Sequence, residues 1–381
     1  MRVAIVSESF LPTVNGVTTS VRHVLEHLER AGHEAMVICP AAGAPASYAG
    51  FPVHEVPALG YRQFPVGLPS PHVQRLLAEF RPDVVHAASP FLLGGQALAA
   101  ARRLGIPSVA IYQTDVAGYA RRNRLGAATR LAWQLVRRVH EPADLTLAPS
   151  TAALQDCTAA GIPDLALWGR GVDIERYKPR NRLRRDVRAL RRVLSPNGEI
   201  VVGYVGRIAP EKQVERIAEL RGLKGVRFAV VGDGPALPAV RRRLHGMPVV
   251  WLGRLSGQQL ADAYAAFDLF VHTGTEETFG QTLQEAGATG IPVVAPRAGG
   301  PIDIVDHGVT GLLFDPEAPG DFRAAVTALV SDAGRRARFG ESGRRRMLSR
   351  SWEVVCGELV DHYLSVLGTP IPADDAVPTA R

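Results

Sequence analysis

Cysteine, lysine and long apolar runs are scarce in this chain of 381 residues, and each scarcity excludes something. The three cysteines (Cys39, Cys157 and Cys356) are isolated and odd in number, so they build neither a disulfide framework nor a metal-ligand spacing. A reducing compartment is the simplest reading. No stretch approaches the roughly 18 uninterrupted apolar residues of a membrane span. The opening Met1–Glu8 reaches a carboxylate too early for a secretory leader. Among 44 basic residues only Lys178, Lys212 and Lys224 are lysines. Arginine is the default cation, so each lysine stands out.

What is present is balanced. Hydrophobic residues are 46% and charged residues 21%, which excludes disorder and fibres. An excess of 44 basic over 37 acidic residues gives a net charge of +7, favouring anionic partners such as phosphates or acidic membrane surfaces without choosing among them. The length suggests two domains.

Short apolar runs alternate with helical patterns throughout. Val3–Ser7 is a buried-strand run, followed by Gly16 and then Val17, Val21, Val24, Leu25 and Leu28 at helical spacing, with Gly32 as the stop. Further strand-like runs are Met36–Cys39, Val84–His86, Val109–Ile111 and Leu145–Ala148. A second series comprises Ile200–Val205, Phe228–Val231, Val249–Leu252, Leu269–His272, Val293–Ala295 and Leu312–Phe314, with helices expected at Gln213–Leu220 and Ser256–Phe267. The alternation predicts an α/β chain of two doubly wound, Rossmann-like domains facing across a cleft. The expected division is 1–174, 175–351, a helix at 352–367 that belongs to either domain, and a disordered tail at 368–381.

Chemistry concentrates at strand-to-helix junctions. The stretch from His272 to Gly287 follows an apolar strand and enters a helix, so its backbone N–H groups form an anion site. Glu277 falls on the loop, and Glu285 about two turns into the helix. A dipole-complementing charge and a solvated helix residue are equally good readings of these two glutamates. In Gly206–Gln213, Arg207 and Lys212 sit on one loop, and a compact lysine charge suits a phosphate. Gly232 and Gly234 permit a tight turn near a ligand, but a packing turn explains them as well. The first βα turn, Phe10–Gly16, lacks the Gly-x-Gly-x-x-Gly pattern of dinucleotide binders, which counts against a dehydrogenase.

Taken jointly, Gly206-Arg207 with Glu211-Lys212, Gly232-Asp233-Gly234, Glu277 spaced from Glu285, and Ala298-Gly-Gly-Pro301 resemble retaining glycosyltransferases of the GT-B fold. Asn15-Gly16-Val17, Gln113-Thr114-Asp115 and Gly171-Val172-Asp173 fit the same pattern. Within that group the chain is most similar to actinobacterial GDP-mannose-dependent α-mannosyltransferases of glycolipid and lipomannan synthesis. Phe10-Leu-Pro-x-x-Asn-Gly-Val, Tyr112–Gly118 and Val205–Lys212 carry the closer likeness.

The resemblance implies that Arg207 and Lys212 bind the donor diphosphate and that Glu285 holds the ribose. Glu277, with the N–H groups of Phe279, Gly280 and Gln281, would hold the sugar and distal phosphate. Gly16 would line the junction with the acceptor, Gly232 and Gly234 would border the donor, and Gln113 and Asp115 would face the acceptor. Many relatives carry histidine where Gln113 stands, so a titrating role is not carried over. No cofactor beyond the GDP-mannose substrate is implied. No Asp-x-Asp loop supplies a metal site, so the expected metal is none. The implied location is cytoplasmic or peripheral at the inner face of the plasma membrane.

A weaker signal lies between Asp115 and Glu141. That interval has no acid but contains Arg121, Arg122, Arg124, Arg130, Arg137 and Arg138. With the exposed-looking loop Leu59–Leu68 it would make a basic, partly apolar face for an anionic bilayer, although a solvated helix is the blander reading. No aromatics interleave with these charges as a nucleic-acid platform requires. His86 and His140 are expected to be structural. A UDP-sugar-dependent transferase, a sugar-nucleotide epimerase or hydrolase, and a non-catalytic nucleotide-sugar binder are the competing functions.

Overall fold

The computed structural model describes residues 1–61, 64–68, 70–113 and 126–368, with backbone alone at 59–61, 64–66 and 126–129. The chain divides into two compact units. Unit 1 comprises Met1–Pro149, Ala153–Gly169 and the chain from Glu353 onward, and unit 2 comprises Ser150–Ala152 and Arg170–Trp352. The division therefore falls before Gly171–Asp173, not at 174/175. Val172 bridges to Ser351, and a Cβ on Gly171 would meet the Trp352 Cα at 2.6 Å, so this short segment is built into unit 2.

Unit 1 is built on strands β1 (Arg2–Ser7), β2 (Glu34–Pro40), β3 (Ser47–Tyr48), β4 (Phe51–Val56), β7 (Val84–Ala88), β8 (Ser108–Ile111), β9 (Leu145–Ala148) and β10 (Leu165–Leu167), with the pair β5 (Ala58–Tyr61) and β6 (Phe64–Gly67) apart from them. The order is β10-β9-β8-β7-β1-β2-β4-β3, parallel except for the β3–β4 edge. Helices α1 (Gly16–Arg30), α2 (Pro71–Phe80), α3 (Leu92–Leu104), α4 (Gly126–His140) and α5 (Thr151–Ala159) connect the strands.

Asn15 caps α1, its Oδ1 accepting the Thr18 amide at 3.0 Å, and Val21, Val24, Leu25 and Leu28 form its buried stripe. The expected loop at Leu59–Leu68 is instead the β5–β6 antiparallel hairpin. Gly67, paired with Ala58 at the open end of the hairpin, is buried against Leu93 and Pro40.

Unit 2 is built on β11 (Ile200–Val205), β12 (Val226–Val231), β13 (Val249–Gly253), β14 (Leu269–Val271), β15 (Val293–Pro296) and β16 (Gly311–Phe314). All pairings are parallel, in the order β13-β12-β11-β14-β15-β16. The strands are apolar on both faces because α6 (Arg185–Leu194), α7 (Leu237–Arg243), α8 (Gly257–Ala265), α9 (Gln281–Ala288), α10 (Pro301–Ile304), α11 (Asp321–Ser331) and α12 (Ala333–Leu348) connect them and bury both. The helix expected at Gln213–Leu220 is 3₁₀ over Val214–Leu220, and Gln213, at φ 47°, stands just before it as its N-cap.

The last helix, α13 (Trp352–Val366), packs almost entirely in unit 1. Trp168 Nε1 donates to the Val355 carbonyl at 2.8 Å, Tyr363 bonds the buried His86 ring, and Glu353 pairs with Arg30. The expected disordered tail and Asp115 lie outside the described residues, apart from Gly368.

Candidate active site

In a doubly wound sheet ligands bind beyond the carboxyl ends of the strands, where the strand order turns back. In unit 2 that point lies between β11 and β14, and the two expected loops emerge there side by side. They are stitched together. Thr273 Oγ1 donates to the Lys212 carbonyl at 2.7 Å, and Gln213 Nε2 donates to Thr275 Oγ1 at 3.0 Å. Lys212 Nζ donates to Glu277 Oε2 at 2.6 Å.

Glu277 is the hub of this group. Its side chain is 17% exposed, and its Oε1 is met by the Phe279 amide at 3.4 Å. Burial alone would raise its pKa, but the Lys212 charge, His272 and the hydrogen bonds together hold it below the usual carboxylate range. The buried guanidinium of Arg170 also feels its charge. The Gly299–Gly300 turn lies against the same loop, where Gly300 N donates to the Glu277 carbonyl at 2.7 Å. Gly299 sits at φ 62° with room for a Cβ only 2.4 Å from that carbonyl, so glycine is required.

Helix α9 follows this loop directly, with Gly280 at its N-cap and no side chain capping it. No side chain takes up its first N–H groups, which follow directly on the loop that carries Glu277. Because α9 begins at Gln281, Glu285 lies one turn into the helix and not two. Glu285 is half-buried and unlike a solvated helix residue. Burial pushes its pKa up to about 7, opposed by the hydroxyls of Tyr264 and Tyr177. Those rings meet edge to face at 5.6 Å and are themselves buried.

Arg207 departs from Lys212. Its side chain is 66% exposed and approaches Glu211 at 3.6 Å. It lines a cavity of about 470 Å³ together with Gly206, Gly232, Gly234, Arg254 and Leu255. Gly232 and Gly234 make the tight turn expected of them, and it is dictated by backbone packing. A Cβ on Gly232 (φ 131°) would stand 1.9 Å from the Gly206 carbonyl oxygen.

In unit 1 the corresponding turning point lies between β1 and β7. There the Glu8 carboxyl group accepts the Phe91 amide at 2.7 Å and the Gly94 amide at 2.9 Å, filling the start of α3 with the chain's own side chain, whose pKa burial raises against the pull of these amides. Gly16 is exposed as the first residue of α1, and Gln113 is half-buried just beyond β8.

Three residues of this site carried no functional expectation: His272, Tyr177 and Tyr264. His272 directly follows β14 at the turning point, a position that would have marked it.

The sequence profile described as Glycosyltransferase Family 4 matches residues 14–176, and that of Glycosyl transferases group 1 matches 187–346. A GDP-mannose-dependent alpha-mannosyltransferase of Mycolicibacterium smegmatis is 49% identical, over 97% of this chain and 98% of the relative. This chain is a family 4 glycosyltransferase of the GT-B fold. It is a retaining hexosyltransferase, closely related to the actinobacterial mannosyltransferases. The glycosyltransferase is also 28% identical to the Alpha-monoglucosyldiacylglycerol synthase of Acholeplasma laidlawii, over 83% of this chain and 85% of that one. In fold, sucrose-phosphate synthase from Thermosynechococcus elongatus superposes with a TM-score of 0.77 at 18% identity, covering 96% of this chain and 99% of that one.

Proposed function

We propose that this glycosyltransferase takes GDP-mannose as donor and transfers mannose to a hydroxyl of a lipid-linked or glycolipid acceptor. The observation that carries the reading is the Lys212–Glu277 pair beside the uncapped start of α9. A cation, a carboxylate and outward N–H groups together suit a sugar diphosphate. Guanine and mannose are supported by the GDP-mannose-dependent relative of Mycolicibacterium smegmatis, and a lipid acceptor by the diacylglycerol in the name of the Acholeplasma one.

In this reading Arg207 and Lys212 neutralise the leaving diphosphate, in place of a divalent cation. Glu285 accepts the ribose hydroxyls. Glu277 and the amides of Phe279, Gly280 and Gln281 hold the mannose and its phosphate, and the cavity bordered by Gly232 and Gly234 receives the nucleoside. The bond from the anomeric carbon to the phosphate oxygen breaks while the acceptor oxygen attacks on the same face. The acceptor proton passes to the departing diphosphate, which leaves as GDP. The residues contribute positioning and stabilisation of the leaving charge. Gly16 lines the donor–acceptor junction, and Gln113 and Asp115 serve the acceptor side.

Helix α4 supports a peripheral membrane contact from the cytoplasmic side. Leu131 and Leu135 are exposed on it beside Arg130, Arg137 and Arg138, and it carries no acid. Among the described residues no helix is long and apolar enough to cross a membrane.

The test is a panel of GDP- and UDP-sugars incubated with the protein and native membranes, followed by lipid analysis. A new mannolipid from GDP-mannose is expected. Free mannose or an epimerised sugar with no lipid product would mark a hydrolase or epimerase instead.

A further inference from the structure

We propose that His272 is a positioning residue that takes over Glu277 when the donor diphosphate draws Lys212 away. The inference rests on the donor reading above, and it concerns a residue to which that reading gives no role.

Lys212 Nζ stands 2.6 Å from Glu277 Oε2, so the cation expected to meet the diphosphate is already engaged. Keeping both anions on one ammonium would set a carboxylate against a phosphate, a like-charge contact among largely buried side chains. Moving Lys212 to the phosphate takes from Glu277 Oε2 its hydrogen-bond donor, and beyond the long Phe279 contact to Oε1 and the charge of Arg170 its side chain has little water to turn to.

His272 is placed to supply that donor. Its Nε2 lies 3.8 Å from the same Oε2, just beyond hydrogen-bonding distance. The residue is 2% exposed, and its own amide is fixed to the Val294 carbonyl at 2.8 Å. The Gly274 backbone is nearby, yet neither ring nitrogen has a partner in hydrogen-bonding geometry. A neutral imidazole always carries one N–H, and apart from the weak pull of the Gly274 backbone that buried donor has no partner in ordinary hydrogen-bonding geometry, an arrangement that natural interiors seldom keep without a use.

Burial pulls the His272 pKa down to about 4, so near neutral pH it donates without adding a charge. A neutral donor can steady Glu277 without competing for the phosphate. A shift of the carboxylate by less than an ångström or so would complete the bond, by comparison with ordinary hydrogen-bond lengths.

The experiment is calorimetric titration of GDP against the wild type, His272→Leu, Glu277→Gln and the double variant, beside thermal melts of each. His272→Leu should bind GDP about tenfold more weakly, since it strands a carboxylate. Glu277→Gln should bind GDP at least as tightly as wild type, because Lys212 is released. On that background His272→Leu should cost less than about twofold, since neutral glutamine needs no rescue. His272→Gln should restore most of the affinity through its side-chain N–H.

Losses that multiply in the double variant, or wild-type affinity in His272→Leu, would overturn the exchange while leaving the donor reading intact. Should His272→Leu not fold, the histidine ¹⁵N spectrum of the wild type decides. The His272 ring signal must move to a hydrogen-bonded position on adding GDP, and an unmoved signal refutes the proposal. A wild-type protein that binds none of GDP, UDP and ADP would overturn the donor reading itself, and this inference with it.

Discussion

Lys212 Nζ donates to Glu277 Oε2 at 2.6 Å, joining the loop after β11 to the loop after β14. Each partner would be poorly placed alone. Burial disfavours an ionised Glu277, and Lys212 is the main influence that reverses this. The pair therefore keeps both charges ready at the turning point of the sheet.

Charge neutralisation sets the first prediction. Replacing Arg207 or Lys212 by alanine should lower kcat/KM about 10²-fold or more, as each removes a charge-assisted contact of about 1.5–3 kcal/mol plus its help to the departing phosphate. Arg188→Ala, at an exposed position on α6, should change it less than about twofold. Steady-state kinetics on the three variants decide, and equal small effects throughout would refute the assignment.

The two glutamates should separate kinetically. Ribose is common to donor and GDP, so Glu285→Gln should weaken GDP inhibition and raise donor KM together. In the proposed site Glu277 touches only the sugar and its phosphate, so Glu277→Gln should leave GDP affinity nearly intact and depress kcat. An interaction equal in ground and transition states shows in KM, and one that strengthens as charge develops shows in kcat. Loss of GDP affinity in Glu277→Gln as severe as in Glu285→Gln would collapse the distinction.

Stability should depend on pH through Glu285. Its pKa rises from 4.5 in a free chain to about 7 in the fold, so the folded protein holds the proton over a range where the unfolded chain has lost it. The contribution is favourable below about pH 4.5 and disappears as pH climbs through 7. Relative to Glu285→Gln, the wild type should lose about 2 kcal/mol between pH 5 and pH 8, with partial exposure allowed for. Thermal melts of the two proteins across that range measure it. A constant gap in Tm would mean that Glu285 is ionised in the fold like an ordinary surface glutamate.

Metal removal gives the fourth prediction. With Arg207 and Lys212 neutralising the diphosphate, transfer should continue in excess EDTA. Activity abolished by EDTA and restored by Mn²⁺ would assign the neutralisation to a bound cation.

The alternation of apolar runs and amphipathic stretches is a local property, and it alone determined two doubly wound sheets and the loops where chemistry gathers. Position at strand-to-helix junctions singled out Arg207, Lys212, Glu277 and Glu285 as candidates, and the family resemblance supplied their expected roles. Strand order is not local. Lys212 and Glu277 meet across 65 residues because β14 lies beside β11, with β12 and β13 displaced to the other side. That order depends on which buried faces pack best, and no motif records it. The same choice brings Tyr177 and Tyr264 to Glu285 and encloses His272 beside Glu277. It also returns most of α13 to unit 1 through Trp168 and His86. Periodicity reports how each segment buries itself. Pairings and pKa shifts sum over neighbours supplied by distant segments, so only the tertiary structure decided them.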